Sequence, residues 1–229
     1  MSGQGGGHDI YMEEGRKKVF AGAIDWPGWC RFGRDPAMAI AALVHAAPRY
    51  ARVLEGAKLR FQSPSSTEEC VIVERLEGNS TTDFGAPAIA PSIDSDPLSD
   101  PEKERLRTIL HHCWLAFHQA VHLGQGQTLE KGPRGGGREL VQIEDHVVEG
   151  HMAYLRKLGW KAAVDMSSAL AEKIVVLEQA DHAGIDAWAA GELPTEGPRG
   201  GSRWTARYFV RRAAWHLLDH AWEIEDRAD

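Results

Sequence analysis

Apolar residues recur at helical spacing through the second half of the chain. We predict four helices there, over residues 99–123, 138–158, 167–190 and 202–225. Glycines at positions 124, 159 and 191 stand where the first three helices should end. Helices of this length joined by short connections favour an up-and-down four-helix bundle, so this half is predicted to be mainly α.

The first half of the chain alternates between β-compatible runs and one alanine-rich helix. The predicted strands cover residues 17–25, 26–34, 59–62 and 70–75. Asp35 followed by Pro36 should begin the helix, and Pro48 should interrupt it. These elements predict a small α+β module over residues 17–78. Residues 1–16 are expected to be flexible, and residues 79–100 to be a linker that leads into a helical domain at 101–229.

Composition and charge narrow the class of partners. The chain has 229 residues, of which 43% are hydrophobic, enough for a sizeable core. Its net charge of -7 argues against nucleic acid or an anionic membrane, because both require a basic surface. Without a membrane-spanning run or a secretion signal, we expect a soluble, cytoplasmic protein. Three cysteines without a C-x-x-C pair fit reduced thiols in the core.

The last predicted helix carries two histidines on its apolar stripe, His216 and His220. Four residues apart on one helix face, two imidazoles can reach a single metal ion. The best third ligand is His146, on the apolar stripe of the second predicted helix. We therefore predict a metal site of three histidines, the alternative being neutral histidines packed in the core. Gly150, one turn after His146, either leaves room for a substrate or water or permits close helix packing.

A metal ion held by three histidines keeps coordination positions open, as catalytic sites do. Zinc is the default for imidazole ligands, with nickel, iron or copper as alternatives. Glu149 and Glu223 each follow one of the histidines by about one turn. We predict catalytic roles for both, either as a general base or as an acceptor that fixes an imidazole tautomer. Alternatively, both are surface charges.

The motif Gly-Pro-Arg-Gly-Gly occurs at residues 132–136 and again at 197–201, before the second and fourth predicted helices. In an up-and-down bundle these two helices run parallel, so both copies should lie at one end. Glycines allow close backbone approach, and helix N-termini and arginines favour anions. We therefore predict an anion-binding rim above the metal, formed by Arg134, Arg138, Arg199 and Arg203. The alternative is two tight turns with solvated arginines.

Two stretches resemble known families. Asp145-His146-Val-Val-Glu149, followed by His216-Leu-Leu-Asp-His220, resembles the DinB/YfiT-like family of four-helix metalloenzymes, over residues 100–226. That resemblance implies a divalent metal on the three histidines, a homodimer and, as in mycothiol- and bacillithiol-dependent members, a low-molecular-weight thiol cosubstrate. Residues 17–76 are similar to the HicB-like α+β module, through Ala23-Ile-Asp-Trp-Pro-Gly-Trp29 and Gly33-Arg-Asp-Pro-Ala-Met-Ala39. This similarity implies an appended accessory domain.

Three functions are consistent with these patterns. The first is a metal-dependent S-transferase or isomerase, in which the metal holds a thiol as thiolate for attack on a small electrophile. The second is a metal-dependent hydrolase of the same fold, which activates water and needs no thiol. The third is a non-catalytic, antitoxin-like interaction protein, in which the histidines are core residues.

Overall fold

The computed structural model describes residues 7–131, 137–198 and 200–228. The chain divides into two compact units, one ending at Asp96 and the other beginning at Pro97. The first unit combines a small sheet with helices, and the second is built from long helices. The fold is therefore mainly α with a smaller α+β part.

A four-stranded sheet forms the centre of the first unit. Its strands are β1 (His8–Glu14), β2 (Val19–Ala23), β3 (Cys30–Gly33) and β4 (Cys70–Glu77). They lie in the order β3-β2-β1-β4. Strand β1 pairs antiparallel with β2, with Ile10 opposite Ala23, and parallel with β4, with His8 opposite Cys70. The sheet is therefore mixed, and β1 is one of its two central strands.

Strand β1 lies where we expected a flexible N-terminus, so that expectation is wrong for residues 8–14. Ile10, Tyr11 and Met12 are at most 1% exposed. Charged residues at both ends of β1, Asp9, Glu13 and Glu14, weaken its local signal, and its parallel partner β4 lies far along the chain. Pairing between distant strands cannot be seen in the local hydrophobic pattern.

Helix α1 (Pro36–Val53) packs against β2 and β3. As predicted, Asp35 caps it, because the carboxylate accepts a hydrogen bond from the backbone N–H of Met38. The predicted interruption at Pro48 is wrong, since the helix continues through this residue. Residues 59–62 do not form the predicted strand. The ring of Phe61 instead packs edge-on against that of Trp29.

Residues 79–96 belong to the first unit and are not a linker. They include α2 (Ser80–Phe84) and a 3-10 turn at Ser92–Ser95. The carboxylate of Glu13, fully buried in β1, accepts hydrogen bonds from the backbone N–H groups of Ala88 and Ile89 and from the Thr82 hydroxyl. These bonds hold the irregular stretch between α2 and the 3-10 turn, which contains Ala88 and Ile89, against the sheet.

The described residues of the second unit form four long helices, namely α3 (Asp100–Gly124), α4 (Leu140–Leu158), α5 (Leu170–Ala189) and α6 (Ala206–Arg227). A capping box formed by Ser99 and Glu102 begins α3, and Gly159 in the left-handed conformation ends α4. Helix α6 packs mainly against α3 and α4, and most of its residues are buried.

Helices α4 and α6 run antiparallel, contrary to the parallel arrangement that we predicted. At the start of α6, Arg207 donates a hydrogen bond to Glu102 at the start of α3, so α3 and α6 run parallel. At the end of α6, Arg227 donates to the carbonyl oxygen of Arg138, which precedes α4. The start of α4 therefore lies beside the end of α6.

Helix α5 runs parallel to α4, so the up-and-down order is wrong. Lys173 in the first turn of α5 lies 3.7 Å from Asp145 in the second turn of α4. The connection at residues 159–169 must therefore return along the length of α4. An extended chain of this length reaches about 36 Å, whereas α4 is about 28 Å long. The connection is therefore long enough to return from the end of α4 to the level of its start.

Candidate metal centre

Three histidines from α4 and α6 meet between these two helices. The candidate ligand atoms of His146, His216 and His220 all lie within 4.8 Å of one another. The Nε2 atoms of His146 and His216 are 3.2 Å apart. Two nitrogens bound to one tetrahedral zinc ion are about 3.3 Å apart. Across residues 7–131, 137–198 and 200–228, this is the one cluster of three or more such groups that could hold a metal ion.

The antiparallel direction of α4 and α6 explains how the histidines reach the same depth. His146 is the seventh residue from the start of α4, and His220 is the eighth from the end of α6. Because those two ends lie side by side, the imidazoles of His146 and His220 are at the same height along the helix axes. In the parallel arrangement that we predicted, the helices would have had to start at different heights.

Gly150 permits the close packing of His216 on α4. A Cβ atom at this position would lie 2.8 Å from Cε1 of His216. The imidazole therefore fills the space that the glycine leaves. Of the two roles open to Gly150 from the sequence, the structure supports close packing.

Burial keeps two of the imidazoles neutral. His216 packs near the rings of Tyr154 and Trp215, and burial, with a smaller effect of the neighbouring histidines, lowers its pKa well below the usual value. Burial also lowers the pKa of His146 to about 4, with smaller contributions from His220 and Arg138. A neutral imidazole keeps a lone pair for a metal ion at neutral pH.

Glu223 contacts the cluster directly. Its Oε2 atom lies 2.8 Å from Nδ1 of His220. This hydrogen bond is the main reason that the pKa of Glu223 is lowered, so the carboxylate is ionised and can only accept. The Nδ1 atom of His220 must then carry the proton, which leaves Nε2 as the ligand atom. A carboxylate behind a metal-binding histidine is a common arrangement that fixes the tautomer.

Glu149 differs from Glu223 in its position relative to the histidine cluster. Its side chain is exposed on α4. Three residues along a helix correspond to a rotation of about 300°, which carries Glu149 to the edge of the stripe that holds His146. Of the two glutamates that we predicted, Glu223 is the one that contacts a histidine of the cluster.

Arg138 and Arg203, the two described arginines of the predicted anion-binding rim, lie at opposite ends of α4 and do not form a shared site. Arg138 lies just before α4, and its charge contributes to the lowered pKa of His146. Arg203 lies at the far end of α4, where its NH1 group donates to the carbonyl oxygen of Arg156 at 3.0 Å. The prediction fails because α4 and α6 are antiparallel. Arg134 and Arg199, the other two predicted arginines, lie outside the described residues.

A second buried polar cluster was not predicted from the sequence. Nε2 of His151 lies 2.7 Å from Oδ1 of Asp181, and both side chains are at most 2% exposed. The indole N–H of Trp114 donates to the other carboxylate oxygen at 3.3 Å. These contacts tie α3, α4 and α5 together. The available signal was a charged residue, Asp181, one turn from Leu177 on the buried stripe of α5.

The three cysteines are free and buried, as we expected. Burial raises the pKa of the Cys113 thiol and that of the Cys70 thiol. In the described part of the chain the histidine cluster contains no cysteine. A thiol nucleophile at this site would therefore have to come from a second substrate.

Comparison with known proteins returned no matching family model, curated protein or solved structure. The resemblances to DinB/YfiT-like and HicB-like proteins therefore rest on the motif residues alone. None of the helices in the described ranges is both long and apolar enough to cross a membrane. The fold and the cluster define a mainly helical protein with a candidate three-histidine metal centre.

Proposed function

We propose that this protein binds one divalent metal ion through His146, His216 and His220. The observation that supports this proposal is the convergence of these imidazoles, two of them held neutral by burial, at the spacing of metal ligands. Zinc is the first choice for such ligands, with nickel or iron as alternatives. A bound ion would lower the pKa of a thiol or water in its open position.

The surrounding residues position the histidines for metal binding. Glu223 orients His220, and Gly150 allows His216 to pack on α4. The aromatic rings of Tyr154 and Trp215 lie beside His216, which is buried. Three protein ligands leave at least one coordination position for a substrate atom, which is typical of catalytic zinc sites.

The reaction that we propose is thiol-dependent transfer or isomerisation, carried out by a DinB-like four-helix bundle. A low-molecular-weight thiol gives up its proton to solvent, and its sulfur then forms a bond with a small electrophilic substrate. In transfer, the leaving group departs with the electron pair of the bond that it breaks. In isomerisation, the thiolate adds to a double bond and is expelled again when that double bond re-forms. The burial of all three cysteines supports an external thiol. Free thiols also fit the cytoplasm, where we place the protein. A homodimer is part of the same proposal, through the family resemblance.

Metal content is the first test. The untagged full chain should contain about one divalent ion by mass spectrometry, and His216→Ala should lose it. His182, exposed on α5, provides a matched control, and His182→Ala should keep the ion. A wild-type protein that takes up no zinc, nickel or iron when these are supplied would contradict the proposal.

Thiol dependence separates the transferase from a hydrolase of the same fold. The metal-loaded protein should consume chlorodinitrobenzene in the presence of mycothiol or bacillithiol, and a chelator should abolish this activity. Ester hydrolysis that needs the metal but no thiol would favour the hydrolase, since the same ion can activate water.

A further inference from the structure

Arg227, the last residue of α6, lies at a junction of three segments. Its side chain is 6% exposed. The NH1 group donates to Oε1 of Glu223 at 2.8 Å, Nε donates to the carbonyl oxygen of Glu130 at 2.6 Å, and NH2 donates to the carbonyl oxygen of Arg138 at 3.0 Å. One side chain thus joins α6 to the segment after α3 and to the segment before α4.

Glu223 is held from both sides by this arrangement. One carboxylate oxygen accepts from Arg227 and the other is bonded to Nδ1 of His220. The glutamate side chain is 32% exposed, so without the guanidinium it could rotate towards water. The direction of the His220 imidazole therefore depends on Arg227, although Arg227 itself does not touch the cluster.

Gly137, shortly before α4, packs against this junction. A Cβ atom at Gly137 would lie 2.8 Å from NH2 of Arg227. The absence of a side chain there lets the backbone approach the guanidinium closely. Gly137 therefore serves the packing of Arg227.

We propose that Arg227 is a positioning residue of the metal centre, which acts on His220 through Glu223. This inference rests on the proposed binding of a metal ion by the three histidines. Arginine suits the position because the three nitrogens of its planar guanidinium can donate to a carboxylate and two carbonyl oxygens at once. The ammonium group of lysine has only one nitrogen from which to donate. The competing interpretation is that Arg227 only joins the chain segments and contributes stability.

Zinc affinity distinguishes the two interpretations. In the full chain, Arg227→Gln should still bind one zinc ion per chain, with a dissociation constant raised about 10- to 100-fold, as is typical when support of a ligand is lost. Glu223→Gln should show a similar loss. If Arg227 acts through Glu223, the double variant should bind zinc no more weakly than Glu223→Gln alone. Competition with a chromogenic chelator measures all four constants.

Arg207→Gln is the matched control. Arg207 lies at the opposite end of α6 and also pairs with a carboxylate, since its NH2 group lies 2.7 Å from Oε1 of Glu102. It also donates to the carbonyl oxygen of Pro97. We expect Arg207→Gln to lower the urea midpoint about as much as Arg227→Gln does, and to leave the zinc dissociation constant unchanged. The Co²⁺ absorption spectrum, which reports ligand geometry, should change in Arg227→Gln and not in Arg207→Gln.

Wild-type affinity in Arg227→Gln would overturn the inference while leaving the metal site intact. Fully additive losses in the double variant would overturn it as well. Should Arg227→Gln fail to fold, Arg227→Lys carries the test, with an expected loss of affinity and the same lack of additivity with Glu223→Gln. A wild-type chain that binds no metal would instead contradict the proposed function.

Discussion

A single absent side chain controls the packing at Gly150. Replacing this glycine with alanine would place a Cβ atom 2.8 Å from the His216 ring, and the ring would have to move. We predict that Gly150→Ala raises the zinc dissociation constant about tenfold. The free energy of unfolding should change by less than about 1 kcal/mol, because alanine's higher helix propensity opposes the clash. Chelator competition and urea unfolding measure the two quantities.

Gly184→Ala is the control for this substitution. Gly184 also lies within a helix, and its Cβ atom would contact Leu158 and Trp160 at 3.1 and 3.2 Å. The change therefore crowds α5 without touching the histidine cluster. Equal losses of zinc affinity in both variants would show that general crowding, and not the position of His216, is responsible.

Glu13 provides a second residue-scale prediction. A glutamine there accepts from the backbone N–H groups of Ala88 and Ile89 only through a neutral, weaker acceptor oxygen, and its NH₂ group faces the buried Thr82 hydroxyl, whose O–H loses its acceptor. We predict that Glu13→Gln lowers the free energy of unfolding by about 2 kcal/mol. It should also speed hydrogen exchange at these two amides. Glu74→Gln, a more exposed change against Ser92, should cost less than about 1 kcal/mol.

At the scale of an element, the start of α3 carries a pH-dependent contribution to stability. The pKa of Glu102 is lowered from 4.5 to about 2, mainly by the hydrogen bond from the Ser99 hydroxyl and then by Arg207. A carboxyl group whose pKa is lower in the folded state stabilises that state fully above its unfolded pKa. This contribution is lost as the pH falls from about 4.5 through about 2.

We therefore predict that Glu102→Gln destabilises the protein at pH 6 and that the difference from wild type shrinks towards pH 2.5. Urea unfolding of both proteins across this range measures the difference. Glu104→Gln, an exposed change one turn away from the cap, should leave the pH profile unchanged. A difference between wild type and Glu102→Gln that stays constant with pH would contradict the role of this carboxylate.

At the scale of the whole molecule, a bound ion would connect two helices that are far apart in sequence. Because the ligands lie on α4 and α6, binding should favour the folded state over the unfolded chain. Zinc at 100 times its dissociation constant contributes about 2.7 kcal/mol. We predict that saturating zinc raises the Tm by roughly 5–10 °C.

Differential scanning calorimetry with and without zinc measures this shift. His220→Ala should remove most of it, and His182→Ala should keep it. A zinc-dependent rise of equal size in His220→Ala would mean that the ion binds elsewhere.

The sequence by itself determined the local features of this protein. The 3.6-residue apolar period predicted the four long helices of the second unit, with boundaries within a few residues of the observed ones. Caps at Asp35 and Ser99 and the left-handed Gly159 were correct because their chemistry acts within a few residues. The stripes that carry His146, His216 and His220 also follow from local periodicity.

Only the tertiary structure decided how these elements are arranged. The direction of α5 relative to α4 depends on the path of residues 159–169. These residues can make a tight turn, which gives antiparallel helices, or return along the length of α4, which gives parallel ones, and a chain of that length can follow either path. The same choice placed Arg138 and Arg203 at opposite ends of α4. The parallel pairing of β1 with β4, and the contacts of Glu13 and Arg227, join residues that are distant in sequence. A local pattern of hydrophobic and polar residues carries no information about such partners, because burial and hydrogen bonding across the fold select them.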